Sequence, residues 1–329
     1  MSVFSKIFKS NKNGKSSESS NKTSLNNFDN KNQKTSIKNS KDIKTDDVKM
    51  NHEDKDFFKK SGSFCSRVIA IANQKGGVGK STTAVNLTSY LGHFGYKTLI
   101  VDMDPQSNST SGLGYDQSSI NISAYSLLIY NEDPNKALIE TPYENLKLIP
   151  SSKQLSGAEV ELVTVFKREY RLKEAIQKIE ENYDFIIIDC PPSLGLLTIN
   201  SLAASKDIII PIQCGYFALE GVAQLLNIID MVRRSLNVKL EVEGVVMTMY
   251  SRSKLADGII GEIKNHFGNK LYNTIIPKNV RLDEGASHGK PIIKFEPSAR
   301  GAKAYDELTK EIISGYENKK SSNADDFTF

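Results

Sequence analysis

The chain has 329 residues, a formal net charge of +4 and an apolar share of 39%, enough for one α/β domain with a full core and a tail. No apolar run reaches the length of a membrane span and the N-terminus lacks the apolar core of a secretory signal, so a cytoplasmic protein is expected. Three cysteines, Cys65, Cys190 and Cys214, show no CxxC or Cys/His spacing, which argues against a disulfide framework and a zinc site.

Residues 1–62 hold 14 lysines against 8 acidic residues, a net of +6, while the remainder has 29 basic and 31 acidic residues, a net of −2. The positive excess therefore belongs to a Lys/Ser/Asn-rich segment that cannot bury enough apolar surface to fold, and a disordered tail is expected there. Its opening is an exception. Val3, Phe4, Ile7 and Phe8 would share one face of a short helix flanked by Lys6 and Lys9, which reads either as a membrane or partner-docking helix or as a frayed terminus. From residue 63 to 317 apolar runs alternate with helical patterns, the mark of a mostly parallel sheet flanked by helices. Strands are predicted over 67–72, 98–101, 146–149, 184–188, 207–212, 241–249 and 271–275. The clearest helices are 80–94, 169–182, 219–235, 254–267 and 299–316, and residues 318–329 revert to a polar tail.

Between the first strand and first helix lies Gln74-Lys75-Gly76-Gly77-Val78-Gly79-Lys80-Ser81-Thr82. Glycines here let backbone N–H groups turn onto a polyphosphate, Lys80 can reach the β/γ-phosphates, and the Ser81 hydroxyl is placed to ligate Mg²⁺ at the helix start. The usual phosphate-loop pattern asks for glycine at 74; this chain has Gln74 and adds Lys75. A basic residue at the loop entrance cannot easily fold back onto phosphates that its own backbone encloses, so Lys75 is expected to point outward, where a second subunit could receive it.

The second strand runs into Asp102-Met103-Asp104-Pro105-Gln106, two carboxylates at the C-terminal end of a strand, where open parallel sheets keep their ligands. Asp102 is a candidate for the magnesium shell or for holding the loop; a solvated turn with two incidental acids is the bland alternative. The strand ending Ile186-Ile187-Ile188-Asp189 has the Walker B pattern, with Asp189 accepting from water on the magnesium. Cys190 beside it reads as a small buried residue.

The stretch IANQKGGVGKSTTAVNL resembles the deviant Walker A motif of the ParA/Soj family of partitioning ATPases, relatives of MinD and of nitrogenase iron protein. Likeness continues through Pro191-Pro192-Ser193-Leu194-Gly195, Pro211 to Gly221, Thr248-Met249-Tyr250, Ile276 to Leu282, Ser287 to Ile292 and Ser298 to Tyr305, about residues 68–313 in all. The resemblance implies a deviant P-loop NTPase fold and slow, partner-stimulated hydrolysis of ATP with Mg²⁺. It implies Lys75, Lys80 and Asp104 as catalytic residues, Asp104 orienting the attacking water, and a γ-phosphate-sensing loop at 191–195. Nucleotide binding would rest on Gly76, Gly77, Val78, Gly79, Lys80, Ser81 and Thr82, with Met249, Pro277 and Asn279 at the adenine. The implied partners are a second copy in an ATP-dependent homodimer, DNA held without sequence preference, and a ParB-like protein that resets the switch. The implied location is cytoplasmic and nucleoid-associated. Candidate DNA contacts are Arg252, Lys254, Lys278, Arg281 and Arg300, each also readable as ordinary solvated charge.

The sequence departs from the family pattern at Gly215, where relatives commonly carry Glu, in a Met249-to-Ser253 segment one residue short, and at Gly285-Ala286. A MinD-like membrane switch is the alternative; it would need an amphipathic membrane helix, which the C-terminus lacks and only the Phe4/Ile7/Phe8 face could replace. An iron–sulfur protein would need other cysteine placement, a tyrosine kinase of this superfamily a C-terminal tyrosine cluster, and an operator-binding relative a helix-turn-helix in residues 1–62.

Overall fold

The computed structural model describes residues 66–215 and 218–325; the segment 1–62, with its Phe4/Ile7/Phe8 face, lies outside the described residues. The strands are β1 (Arg67–Ile71), β2 (Thr98–Asp102), β3 (Ile139–Glu140), β4 (Leu146–Ile149), β5 (Phe185–Asp189), β6 (Asp207–Gln213), β7 (Glu241–Tyr250) and β8 (Leu271–Pro277). They form one sheet in the order β3-β4-β2-β5-β1-β6-β7-β8. Every pairing is parallel except β3 with β4. Seven of these strands start within a residue of the sequence expectation. The short β3 has no counterpart there, because two residues leave no alternation to read.

The longer helices are α1 (Lys80–His93), α2 (Asn108–Gly112), α3 (Ala124–Tyr130), α4 (Pro134–Ala137), α5 (Leu155–Glu161) and α6 (Arg171–Gln177). Then come α7 (Leu196–Ala204), α8 (Ala218–Ser235), α9 (Lys254–Phe267), α10 (Val280–Ser287), α11 (Ile292–Phe295) and α12 (Arg300–Asp325), the last running past residue 317. Helices α1, α11 and α12 pack among themselves, while α6 and α8 each pack on α7. The central strands β1, β2 and β5 are buried at every position, so both faces of the sheet must be covered, and their unbroken Ile/Val/Leu runs follow from that.

The helix expected over 169–182 is interrupted. Only Arg171–Gln177 is α-helical, between short 3₁₀ turns at 168–170 and 180–182. Leu172, Ala175, Ile176 and Ile179 are buried and supply the period, but the start is set from outside: Asn200 on α7 accepts from the Leu172 N–H and donates to the Arg168 carbonyl. Among the described residues, no helix is long and apolar enough to cross a membrane.

The sheet order carries a consequence for the site. Strands β5 and β6 flank β1, and the crossovers leave from opposite sides of it. A crevice opens beyond the C-terminal ends of such strands at the point where the order reverses.

Candidate functional site

The loop after β1 is held from below. Asn73 is buried, donates to the Pro211 carbonyl at 2.7 Å and accepts from the Lys75 N–H at 3.0 Å. Val78 is buried and its carbonyl accepts from the Thr248 hydroxyl at 2.8 Å, tying the loop to β7. Gly77 and Gly79 have φ of 70° and 87°, conformations that only glycine adopts without strain. Nothing lies within 4 Å of where side chains at Gly76 or Gly77 would sit, so their backbone faces open space. That space is a cleft of about 610 Å³ lined by the loop through Thr82, by Asp104, Pro192 and Met249, and by residues of α2 and α10.

Lys80 is almost fully buried, and its ammonium donates to the Lys75 carbonyl at 3.2 Å. Burial lowers its pKa against the pull of Asp189 and Asp104. Lys75 is half-buried, and its ammonium makes no hydrogen bond or ion pair among the described residues.

The three acids meet at the strand ends. Asp102 and Asp189 are fully buried neighbours in the β2/β5 register. Both oxygens of Asp102 are taken: Oδ1 accepts from the Asp104 N–H, and Oδ2 from the N–H and hydroxyl of Thr110 at 2.8 and 2.7 Å. Asp102 thereby holds the loop and α2 in place, with neither oxygen lacking a donor. Asp189 differs. Its Oδ2 accepts from the Ser109 hydroxyl at 2.7 Å, whereas Oδ1 is buried with no hydrogen-bond partner among the described residues. Burial and the charge of Asp189 push Asp102 up to about 8. Asp189 rises to about 6 through burial, against the nearby hydroxyls of Ser81 and Ser109. An orphaned carboxylate oxygen beside like charge is costly unless a cation or its water completes it. The donor set therefore fits a hard divalent ion held by oxygen.

Asp104 has one oxygen held by the Gln106 N–H at 3.0 Å, while its carbonyl accepts from Ser151 at 2.7 Å. Its other carboxylate oxygen has no hydrogen bond among the described residues, and the residue lines the cleft. Ser107, three residues on, is buried at φ 53° with a hydroxyl that has no hydrogen-bond partner among the described residues. Cys190 is buried, and burial pushes its thiol up to about 12, which makes it inert rather than reactive.

Met249 lines the cleft at φ 52°, a left-handed conformation costing roughly 1–2 kcal/mol for a side-chain-bearing residue. Pro277 ends β8, paired with Tyr250, and Asn279 caps α10 by accepting from the Arg281 N–H. Neither is among the cleft's lining residues, where α10 presents Leu282, Asp283, Ala286 and Ser287 instead, with Lys290 beyond. The sequence reading stopped one turn short of that wall; the Ser287-to-Ile292 stretch of family likeness was the available signal. Gly114 and Gly289 approach each other closely, both at positive φ, with a side chain at 289 calling for an atom 2.5 Å from the Gly114 Cα.

The basic candidates gather at one rim. Arg252 and Lys254 follow β7, Lys278 follows the adjacent β8 and Arg281 lies in the first turn of α10, all exposed. Gly301 packs against Leu282 and Asn279, which brings exposed Arg300 to the same place. Arg281 is paired with Glu284 at 2.6 Å.

A family model described as an AAA domain matches residues 66–242. The chain is 51% identical over 247 residues to the sporulation initiation inhibitor protein Soj of Bacillus subtilis, covering 75% of this chain and 98% of Soj. It is 42% identical over 261 residues to the chromosome partitioning protein ParA of Caulobacter vibrioides, covering 78% of this chain and 98% of that one. Among solved structures, cobyrinic acid a,c-diamide synthase of Mycobacterium smegmatis with ADP and magnesium matches with 34% identity and a TM-score of 0.68, over 77% of this chain and 96% of that one. The septum site-determining protein MinD of Pyrococcus horikoshii with Mg-ADP matches at 27% and 0.63, over 75% and 96%. With this sheet order, this phosphate loop and relatives matched over nearly their whole length, the chain belongs to the ParA/Soj family of chromosome-partitioning ATPases.

Proposed function

We propose that the chain is a Mg²⁺-dependent ATPase switch whose ATP-bound form dimerises, binds DNA without sequence preference, and is reset by a ParB-like partner. The observation that carries the reading is the charge balance at the strand ends: Asp102, Asp104 and Asp189 are buried together with Lys80, and Oδ1 of Asp189, a neighbour of Lys80 and Ser81 in the phosphate loop, has no hydrogen-bond partner among the described residues. Magnesium supplies charge neutralisation on the phosphate oxygens. Ser81 and Asp189 would hold it, the latter through water.

The chain's own groups do the rest. Backbone N–H groups of residues 76–82 cradle the phosphates, and the Lys80 ammonium exchanges its Lys75 carbonyl for phosphate oxygen. Asp104, pinned by Gln106 and Ser151, uses its free oxygen to orient a water in line with the γ-phosphate and take its proton. Met249 and the α10 wall cover the base. Lys75, with its N–H held by Asn73 and its ammonium unpaired among the described residues, reaches the nucleotide of a second copy, so that dimerisation requires the triphosphate. The rim of Arg252, Lys254, Lys278, Arg281 and Arg300 holds DNA phosphates, which carry no base code.

The test is size-exclusion chromatography with ATP and with ADP, run beside DNA co-sedimentation. Wild type should dimerise and pellet with DNA in ATP. Lys75→Ala should bind ATP as a monomer, and Asp104→Ala should accumulate as dimer. Equal DNA affinity in both nucleotides, or normal dimerisation of Lys75→Ala, would overturn the switch.

A further inference from the structure

Helix α2 reads Asn-Ser-Thr-Ser-Gly, a run of weak helix formers with no apolar period. Its place is fixed instead by the strand-end acids. Thr110 gives both its N–H and its hydroxyl to Asp102, and Ser109 gives its hydroxyl to Oδ2 of the adjoining Asp189 at 2.7 Å. Ser109 and Asp189 are both fully buried. The terminal torsion of an aspartate is soft and nearly two-fold, so in the absence of a fixed donor either oxygen could face the loop. Ser109 removes that freedom. It is also a neutral donor: it satisfies one oxygen and leaves the carboxylate's whole charge for what approaches the other.

We propose that Ser109 is a positioning residue for the cation site. By occupying Oδ2 of Asp189 it commits Oδ1 to the magnesium's water shell. The same bond ties the segment that carries Asp104, five residues upstream, to the filling of that site. The proposal rests on the reading of the cleft as a Mg-nucleotide site. It adds a residue that neither the phosphate-loop pattern nor the Walker B pattern contains.

The experiment follows binding of a fluorescent ADP to the full-length protein, with EDTA and across a Mg²⁺ titration. Ser109→Ala should leave the affinity in EDTA unchanged and raise the half-saturating Mg²⁺ concentration by about tenfold, the usual scale for losing a group that orients a metal ligand. Ser109→Thr, which keeps the hydroxyl, should restore the wild-type requirement. Asp189→Asn should raise the requirement by itself, and adding Ser109→Ala to it should change nothing more, because there is no carboxylate left to steer. That cycle does not depend on the threonine variant folding. A wild-type Mg²⁺ requirement in Ser109→Ala alongside a raised one in Asp189→Asn overturns the positioning role and spares the metal reading. Equal weakening by Ser109→Ala with and without Mg²⁺ makes the residue structural and overturns it too. An unchanged requirement in Asp189→Asn removes the metal reading itself, and the inference with it.

Discussion

The two ends of the sheet bury charge in opposite ways. At the N-terminal ends of β1, β6 and β7, Arg67 bonds Asp207 at 2.8 and 3.1 Å, pairs with Glu243 at 3.2 Å, and lies over the Tyr316 ring at 4.7 Å. Lys206 and Lys270 donate there to the carbonyls of Ser66 and Val242. At the C-terminal ends, three buried acids share Lys80, and two of them are pushed above the usual carboxylate range. One rim is neutralised from within the fold. The other keeps a negative surplus beside an open cleft, which a bound cation would complete. The contrast separates structural charge from functional charge without reference to any relative.

The largest effects should therefore dissociate. Lys80→Ala should cut ATP turnover by about a hundredfold or more, because it removes the charge facing the β/γ-phosphates. It should cost the fold little, since burial already outweighs the attraction of the acids for that ammonium. Arg67→Ala should do the reverse. Stranding Asp207 and Glu243 should cost about 3–5 kcal/mol, read as a lower urea midpoint, while turnover per folded molecule stays at the wild-type value. If Arg67→Ala abolishes turnover in the folded fraction, the two rims are not separable.

A smaller effect tests the surplus itself. At a ligand concentration of 100 times Kd, Mg-ADP should stabilise wild type by about 2.7 kcal/mol. Asp189→Asn should lose much of that gain, yet without nucleotide or metal it should be no less stable than wild type, because it removes a charge that burial and the nearby Asp104 disfavour. Finding it markedly less stable in EDTA would mean the acids are held together by something other than an awaited cation.

How far these rims could be read beforehand depended on what holds each residue in place. The phosphate loop, the Walker B strand and the parallel sheet were visible because each is a local pattern: glycines at fixed spacing, an apolar run ending in an acid, periods that switch from two to 3.6. Helix α2 was not visible, because its reason for being helical lies outside it, in Asp102 at the end of β2 and in Asp189, 80 residues away from Ser109. The broken helix at 171–177 failed for the same reason, its start being set by Asn200. The α10 wall was missed in detail because its facing residues, Asp283 and Ser287, are polar and carry no signature until β8 places them. Arg67 gave no signal either, as a lone arginine opening a strand reads as surface charge until the register sets Asp207 and Glu243 beside it.

The last expected effect is the dependence of stability on pH. Asp102 titrates near 4 in an unfolded chain but is pushed up to about 8 in the fold, chiefly by burial and then by the charge of Asp189. Between those values the folded protein holds a proton that the unfolded chain has lost, so the unfolding free energy falls as pH rises. The stabilisation is complete below pH 4 and is lost as pH climbs through about 8. In EDTA the melting temperature should thus drift down from pH 5 to 8. Asp102→Asn stays neutral throughout and should flatten that slope, leaving only the part due to Asp189, which lies near 6. Its absolute stability should be lower, because the amide nitrogen turns a donor toward either the Asp104 N–H or the Thr110 donors. The slope is therefore the readout, and parallel slopes in the two proteins would show that like charge at the strand ends does not govern this rim.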